Sequence, residues 1–258
     1  MRPAGRTGTP GTPRFFAPFL DPGDETAVLP RDEAEHLTRV LRLSAGDVVS
    51  VFDGRGHEFT AQVAAVTHRR EVRVRLLAPV KPAAEPSVPL VLVQAVLKGD
   101  KMDEVVRDAV MLGAAAIHPI VTQRTEASVA AILKRARLDR WRRVALASVK
   151  QSGRAVLPEI RTPLTFEDFL DEPPAALRVM LVEPGARAGA DTIGALRSNR
   201  PPSDAAVIVG PEGGWTEDEL RAASERGVRL ITMGRRTLRA DAVAVAAISV
   251  LQFLWNDL

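Results

Sequence analysis

The sequence predicts an α/β protein in which a parallel sheet covered by helices on both faces follows a small antiparallel β-barrel or sheet. Three observations carry this reading. Continuous apolar runs at Leu90 to Val96, Ala115 to Val121, Arg178 to Val182 and Val207 to Val209 alternate with helix-length stretches, as buried parallel strands and their crossovers do. Short alternating strands crowd the region before residue 78. Between the two regions Pro79, Pro82, Pro86 and Pro89 read as a stiff linker. The expected layout is a disordered tail over 1–13, a barrel over 14–80, a linker over 81–89 and the larger domain over 90–258.

In order, the tail is Gly, Pro, Thr and Arg with little apolar content. Ala34, Leu37, Val40 and Leu41 recur at helical spacing and predict a helix from Arg31 to Leu41. Gly46-Asp47 turns into a strand at Val49 and Val51, and Asp53-Gly54-Arg55-Gly56 marks a hairpin before strands at Glu58 to Val66 and Glu71 to Leu77. After the linker, a helix from Lys101 to Leu112 is closed by Gly113. Val129 to Val149 reads as one long basic helix ending near Gly153, and a weak helix starts at Asp191. Val228 to Met233 is the last strand, and Ala240 to Trp255 is a helix that is apolar almost all round.

Composition excludes several classes of function. The 258 residues contain no cysteine, which rules out disulfides, thiolate nucleophiles and zinc–thiolate sites. The four histidines are scattered without ligand spacing, so no metal is expected. No apolar run reaches the length of a membrane span and the N-terminus lacks an apolar signal core, so the expected location is the cytoplasm. A formal net charge of +3 does not by itself imply nucleic-acid binding.

The best-specified stretch is Ala205 to Leu220. A β-branched strand meets Gly210-Pro211-Glu212-Gly213-Gly214, and a helix starts at once, with Thr216 and Glu219 at capping-box spacing and Trp215 and Leu220 at the positions of a hydrophobic staple. Such a turn offers backbone N–H groups to a polar ligand, though a tight βα turn without a ligand has the same pattern. In a parallel sheet the ligand lies beyond the carboxyl ends of adjacent strands. That points also to Val182-Glu183-Pro184-Gly185 and to Met233-Gly234-Arg235-Arg236-Thr237-Leu238-Arg239. Neither the P-loop pattern nor GxGxxG is present. A glycine-lined, partly apolar pocket for a nucleoside-like cofactor remains.

These two motifs, the glycine turn with Glu219 and the segment 233–239, resemble the paired signature of the SPOUT methyltransferases, in particular the ribosomal RNA small subunit methyltransferase E family. Further matches are His36-Leu37-x2-Val40-Leu41-Arg42 with Gly46-Asp47, Lys98 to Asp103, Trp141-Arg142, and Gln151-Ser152-Gly153-Arg154 followed by Pro158. The resemblance spans residues 14 to 255. It implies methylation of uridine N3 in 16S rRNA with S-adenosyl-L-methionine, a PUA-like barrel docking RNA, a SPOUT domain with a C-terminal trefoil knot, and a homodimer acting on the rRNA or the small ribosomal subunit. One departure stands out. Where the family has a Thr-Glu-Thr-Ala-like run after the arginine, this chain has Ala240-Asp241-Ala242-Val243.

The cofactor is expected on Val182, Glu183, Gly210, Pro211, Glu212, Gly213, Gly214, Met233, Gly234, Leu238 and Arg239. Arg154 and Arg239 are the expected catalytic residues, since forked donors suit the negative charge that spreads over the uracil as N3 loses its proton. RNA contacts are expected at Arg124, Arg140, Arg143, Gln151 and Arg154, although the basic helix from Lys134 to Arg143 reads equally as a solvated face. Glu212 is either a base or, more in keeping with a carboxylate before a helix, a group that steadies the loop. Two other functions fit the same features: methylation of a different RNA, and RNA binding without turnover.

Overall fold

The structure is a computed structural model that describes residues 11–67, 71–134, 137–186, 190–197 and 200–258. Residues 1–10 of the expected tail, and residues 135–136 of the expected long helix, lie outside these. The first elements are β1 (Arg14–Phe16), β2 (Thr26–Val28), α1 (Arg31–Glu35), a π-helical turn (His36–Val40), β3 (Val48–Phe52), β4 (Glu58–Val66) and β5 (Val72–Val80). Next come β6 (Leu90–Ala95), α2 (Lys101–Met111), β7 (Ala116–Val121), α3 (Val129–Lys134), α4 (Arg137–Ser152), β8 (Glu159–Ile160), β9 (Leu164–Thr165) and α5 (Phe166–Asp171). The chain ends with β10 (Leu177–Val182), β11 (Asp191–Thr192), a 3-10 turn (Ile193–Leu196), β12 (Ala205–Val209), α6 (Glu217–Glu225), β13 (Arg229–Thr232) and α7 (Ala240–Leu254). Its contacts form two compact units, Met1–Glu85 with Val149–Leu157, and Pro86–Ser148 with Pro158–Leu258.

The first unit is a curled five-stranded sheet in the order β1-β3-β4-β5-β2, antiparallel except where β1 lies parallel to β3. Alternation puts Val49, Val51, Val63, Val72 and Val74 inward, where they pack with Phe15, Leu20 and Leu37. The helix predicted over 31–41 is a short α-helix continued as a π-turn, closed by Leu41 N–H donating to the His36 carbonyl at 3.0 Å. Leu37 is buried while Val40 faces solvent; apolar spacing alone does not distinguish this widened turn from an α-helix. β1 and β2, of three residues each, carry too few positions for a period to show.

Arg14 ties this unit together. Its guanidinium donates to both carboxylate oxygens of Glu58 at 2.9 and 2.7 Å, to the carbonyls of Val149 and Lys150 at 2.8 Å, and to that of Arg154 at 2.7 Å. Two of those acceptors are carbonyls of the last turn of α4, where the helix offers no backbone N–H of its own to them. Lys150 in turn donates to the buried Glu33 carboxylate at 2.6 Å.

The second unit is a parallel sheet in the order β11-β13-β10-β12-β6-β7-β8, with β9 also beside β7. All five residues of β12 are buried, as expected of a central strand covered on both faces. On α2, Met102, Val105, Val106, Ala109 and Val110 form one buried stripe. Three helices end in the same way. Beyond α2 the N–H groups of Gly113 and Ala114 donate to Val110 and Ala109, beyond α6 those of Gly227 and Val228 to Ser224 and Ala223, and beyond α7 those of Asn256 and Asp257 to Phe253 and Gln252. Each is a Schellman closure, and Gly113 and Gly227 take the positive φ it requires, +90° and +73°. The expected weak helix at Asp191 is a two-residue strand and a 3-10 turn. Among the described residues, no helix is long and apolar enough to cross a membrane.

Candidate functional site

Because β13, β10 and β12 are neighbours in a parallel sheet, the segments that follow them leave from the same edge. Together they line a cavity of about 210 Å³. Leu181 to Pro184 comes from β10, Val209 to Glu212 with Gly214 and Trp215 from β12, and Met233 with residues 236–241 and Val243 from the segment after β13. Lys101, at the start of α2, completes the lining.

The glycine turn is held from three sides. Gly210 lies so close to Trp215 that a Cβ there would be 2.9 Å from the indole, and the indole Nε1–H donates to the Leu181 carbonyl at 2.9 Å. Glu212 Oε1 accepts from Lys98 N–H at 3.2 Å and from Lys101 Nζ at 2.8 Å. Burial pushes the Glu212 carboxyl up, but the Lys101 ammonium and the Lys98 N–H outweigh it and hold the group below its ordinary value. On the third side, Arg124 Nη1 donates to the Gly213 carbonyl at 2.7 Å. Buried Glu219 accepts from Gln123 N–H at 2.8 Å through one oxygen and from Thr216 N–H at 2.9 Å through the other. The second bond is half of a complete capping box at the start of α6.

Two ion pairs, Lys101 with Glu212 and Arg239 with Asp241, line the cavity. Arg239 donates to both oxygens of Asp241, at 3.1 and 2.9 Å, and its side chain is 73% exposed. Burial pushes the Asp241 carboxyl up, and the Arg239 fork together with backbone N–H groups brings it below its usual value. Apolar walls from Leu181, Val182, Val209, Met233 and Leu238, with carboxylates at Glu183, Glu212 and Asp241, suit a ligand that has a flat apolar part, hydroxyls and positive charge. At Gly214, φ is +69° and an added Cβ would sit 3.4 Å from Glu183 Oε1, so the backbone stays open beside that carboxylate. Among the described residues, no cluster of three metal-ligating groups occurs.

Of the residues expected to hold a cofactor, Val182, Glu183, Gly210, Pro211, Glu212, Gly214, Met233, Leu238 and Arg239 line the cavity. Gly213 and Gly234 belong to the same loops without lining it, and the missing Cβ of Gly213 points at Arg124, 3.1 Å from its Cβ. The cofactor list left out Lys101, Trp215 and Asp241, and also Thr237, although Thr237 lies in the segment 233–239 that the sheet argument pointed to. The first two were visible as the opening of a helix and the neighbour of the glycines.

The remaining candidates are not among the residues that line the cavity. Arg154 is buried in the first unit, where it donates to Glu85 Oε1 at 2.9 Å and pairs with Oε2, while its carbonyl accepts from Arg14. It is not a lining residue of the cavity. Gln151 is exposed near the end of α4. Arg140 is committed to Asp100 at 2.9 Å and to Asp103. Arg143 is exposed and makes one long bond to the Asp139 carbonyl. Arg124 braces the glycine turn.

The fold and this site place the chain among the RNA methyltransferases: the family model of an RNA methyltransferase domain matches residues 84–252 and that of an RNA methyltransferase PUA domain residues 29–77. A ribosomal RNA small subunit methyltransferase E from a Synechocystis species is 34% identical over 236 residues, which cover 88% of this chain and 74% of that protein. The same-named protein of Neisseria gonorrhoeae, solved bound to S-adenosyl methionine, superposes with a TM-score of 0.82 at 30% identity, over 95% of this chain and 98% of that one. A methyltransferase of Legionella pneumophila, solved in complex with the same cofactor, gives 0.84 at 30% identity, over 94% and 97%. The chain belongs to the ribosomal RNA small subunit methyltransferase E family.

Proposed function

We propose that this protein is an S-adenosylmethionine-dependent methyltransferase that modifies N3 of a uridine in 16S rRNA. The observation that carries the reading is the convergence of three strand-end loops on one glycine-lined cavity, in a chain whose relatives are solved with that cofactor at comparable fold. When bound, the cofactor supplies an electrophilic methyl group on sulfur. Val182, Met233 and Leu238 offer apolar surface to a purine, and Glu183 and Glu212 accept from hydroxyl or ammonium groups.

Arg239 is the residue we propose for charge stabilisation: its fork is held at the cavity by Asp241 and can donate to a uracil oxygen as N3 becomes anionic. We do not extend this role to Arg154, whose guanidinium is engaged with Glu85 inside the first unit.

The same reading assigns residues 14–80 to RNA docking and 90–258 to catalysis, and places the protein in the cytoplasm with its substrate. It also includes a homodimer formed on α7, where Ala242, Ala246, Ser249 and Phe253 share a helix face and Phe253 is 60% exposed. A trefoil knot at the C-terminus is the chain path we infer for residues 205–254; the packing of α7 on β12, β6 and α2 after the chain has passed through β13 supports it.

Mass spectrometry of 16S rRNA nucleosides from a deletion strain tests the function. Loss of 3-methyluridine, restored by the wild-type gene and not by Arg239→Ala, is expected. Intact 3-methyluridine in the deletion strain refutes the assigned substrate.

A further inference from the structure

In the first unit, the turn that carries an exposed aromatic residue is bonded to an arginine side chain. Ala17 and Leu20 are buried, and Leu20 N–H donates to the Ala17 carbonyl at 3.0 Å, which closes a β-turn with Pro18 and Phe19 at its tip. Phe19 is 89% exposed there although both ends of its turn are anchored in the core. The Leu20 carbonyl accepts from Arg55 Nη2 at 2.7 Å, which brings the hairpin loop 53–57 against the turn.

That loop is built around one buried carboxylate. Asp53 accepts from the N–H groups of Arg55 and His57 at 2.7 and 3.1 Å, from Arg55 Nε at 3.1 Å, and binds His57 Nδ1 at 2.8 Å. The arginine and histidine side chains are nevertheless 60% and 53% exposed. These bonds use two of the five N–H donors that a guanidinium carries.

We propose that Phe19, Arg55 and His57 form a subsite for one unpaired nucleotide of the rRNA, its base stacked on Phe19 and its phosphate on the outer edge of Arg55. An exposed ring stacks any base, and a fixed cationic fork next to it matches a phosphate, which is how single-stranded nucleic acid is held without sequence readout. The turn fixes the backbone at Phe19, and Asp53 and Leu20 hold the Arg55 side chain, so part of the order the nucleotide needs is present before it arrives. The subsite rests on the reading of rRNA as substrate given above.

The test uses the full chain and unmethylated 16S rRNA, naked and in assembled small subunits. Phe19→Ala is expected to weaken binding to naked rRNA about tenfold. Phe19→Trp should retain affinity and show an indole emission quenched by RNA. Arg55→Ala should weaken binding and lower the salt slope by about one. Cofactor affinity, and the melting temperature of the Phe19 variants, should stay at wild-type values. Wild-type affinity of Phe19→Ala for naked rRNA overturns the proposal. So does a defect seen only with assembled subunits, which would make the surface a contact for a ribosomal protein. A wild-type protein that neither binds nor methylates rRNA overturns the functional reading and the subsite with it, whereas an active wild type matched by an equally active Phe19→Ala overturns the subsite alone.

Discussion

Adding one methyl group at Gly210 tests whether the cavity depends on the close approach between the glycine turn and Trp215. A Cβ at residue 210 would lie 2.9 Å from Trp215 Cε2, 3.0 Å from Nε1 and 3.3 Å from Cζ2. Carbon atoms rest about 3.5–4.0 Å apart, so the indole must retreat by roughly half an ångström or more. It cannot do so freely, because its Nε1–H is bonded to the Leu181 carbonyl at 2.9 Å and its ring is packed at 5.1 Å on Phe166. Overpacking of this kind costs about 1–3 kcal/mol. Trp215 and Leu181 both line the cavity, so the displacement falls on the ligand as well as on the fold. Gly210→Ala should therefore weaken S-adenosylmethionine binding about tenfold in calorimetry, where tenfold corresponds to about 1.4 kcal/mol. It should also lower the melting temperature by about 2–4 °C for each kcal/mol lost. Gly194→Ala is the control, because the same methyl there meets only Thr192 Oγ1 at 3.8 Å. Wild-type cofactor affinity in Gly210→Ala would show that the indole is not held as the structure has it.

Arg154→Ala should destabilise the first unit by about 1–3 kcal/mol in thermal unfolding, because it strips a charged partner from Glu85, and should leave cofactor affinity unchanged. A wild-type melting temperature with a slowed chemical step would instead restore Arg154 to the reaction. His118 is buried on β7; burial keeps its imidazole below the ordinary value although Glu172 at 3.5 Å pulls the other way. A base held neutral in the folded state loses stability as the pH falls through its ordinary unfolded value toward its depressed folded one. The wild type should therefore lose stability as the pH falls below the ordinary histidine value of 6.5, and His118→Gln should flatten that limb; parallel curves for the two proteins would remove His118 as the cause.

What the sequence discloses about this fold depends on how far apart the interacting residues are. The capping box of Thr216 and Glu219 was legible because it is a three-residue relation, and the end of α2 was legible because the αL position of its closure holds a glycine. The parallel strands were legible as apolar runs. The two-residue strands β8, β9 and β11 were not, since two residues show no period, and neither was the six-residue α5, which makes less than two turns. The same limit hid the bonds that set the site. Glu219 reads as half a cap, yet its other oxygen holds Gln123, 96 positions away. The partners of Arg124 and Arg154 could not be read either, because an exposed and a committed arginine are the same letter. Only the fold supplies Gly213 to the first and Glu85 to the second.

The departure at residues 240–243 keeps the charge that the site uses and loses two hydroxyls. The run expected from the resemblance places a glutamate where this chain has Asp241, two residues after Arg239. With a side chain one methylene shorter, Asp241 still takes both arms of the Arg239 guanidinium. It also sits in the first turn of α7, where its carboxylate accepts backbone N–H groups and favours the positive end of the helix. The negative charge, the ion pair and the helix start therefore survive the change. What the chain gives up are two hydroxyls, at Ala240 and Ala242, of which Ala240 lines the cavity. A requirement for a hydroxyl there would be met only by Thr237 among the cavity-lining residues, since the structure gives that wall no other serine or threonine. The acid at 241 thus holds Arg239 without any help from flanking hydroxyls.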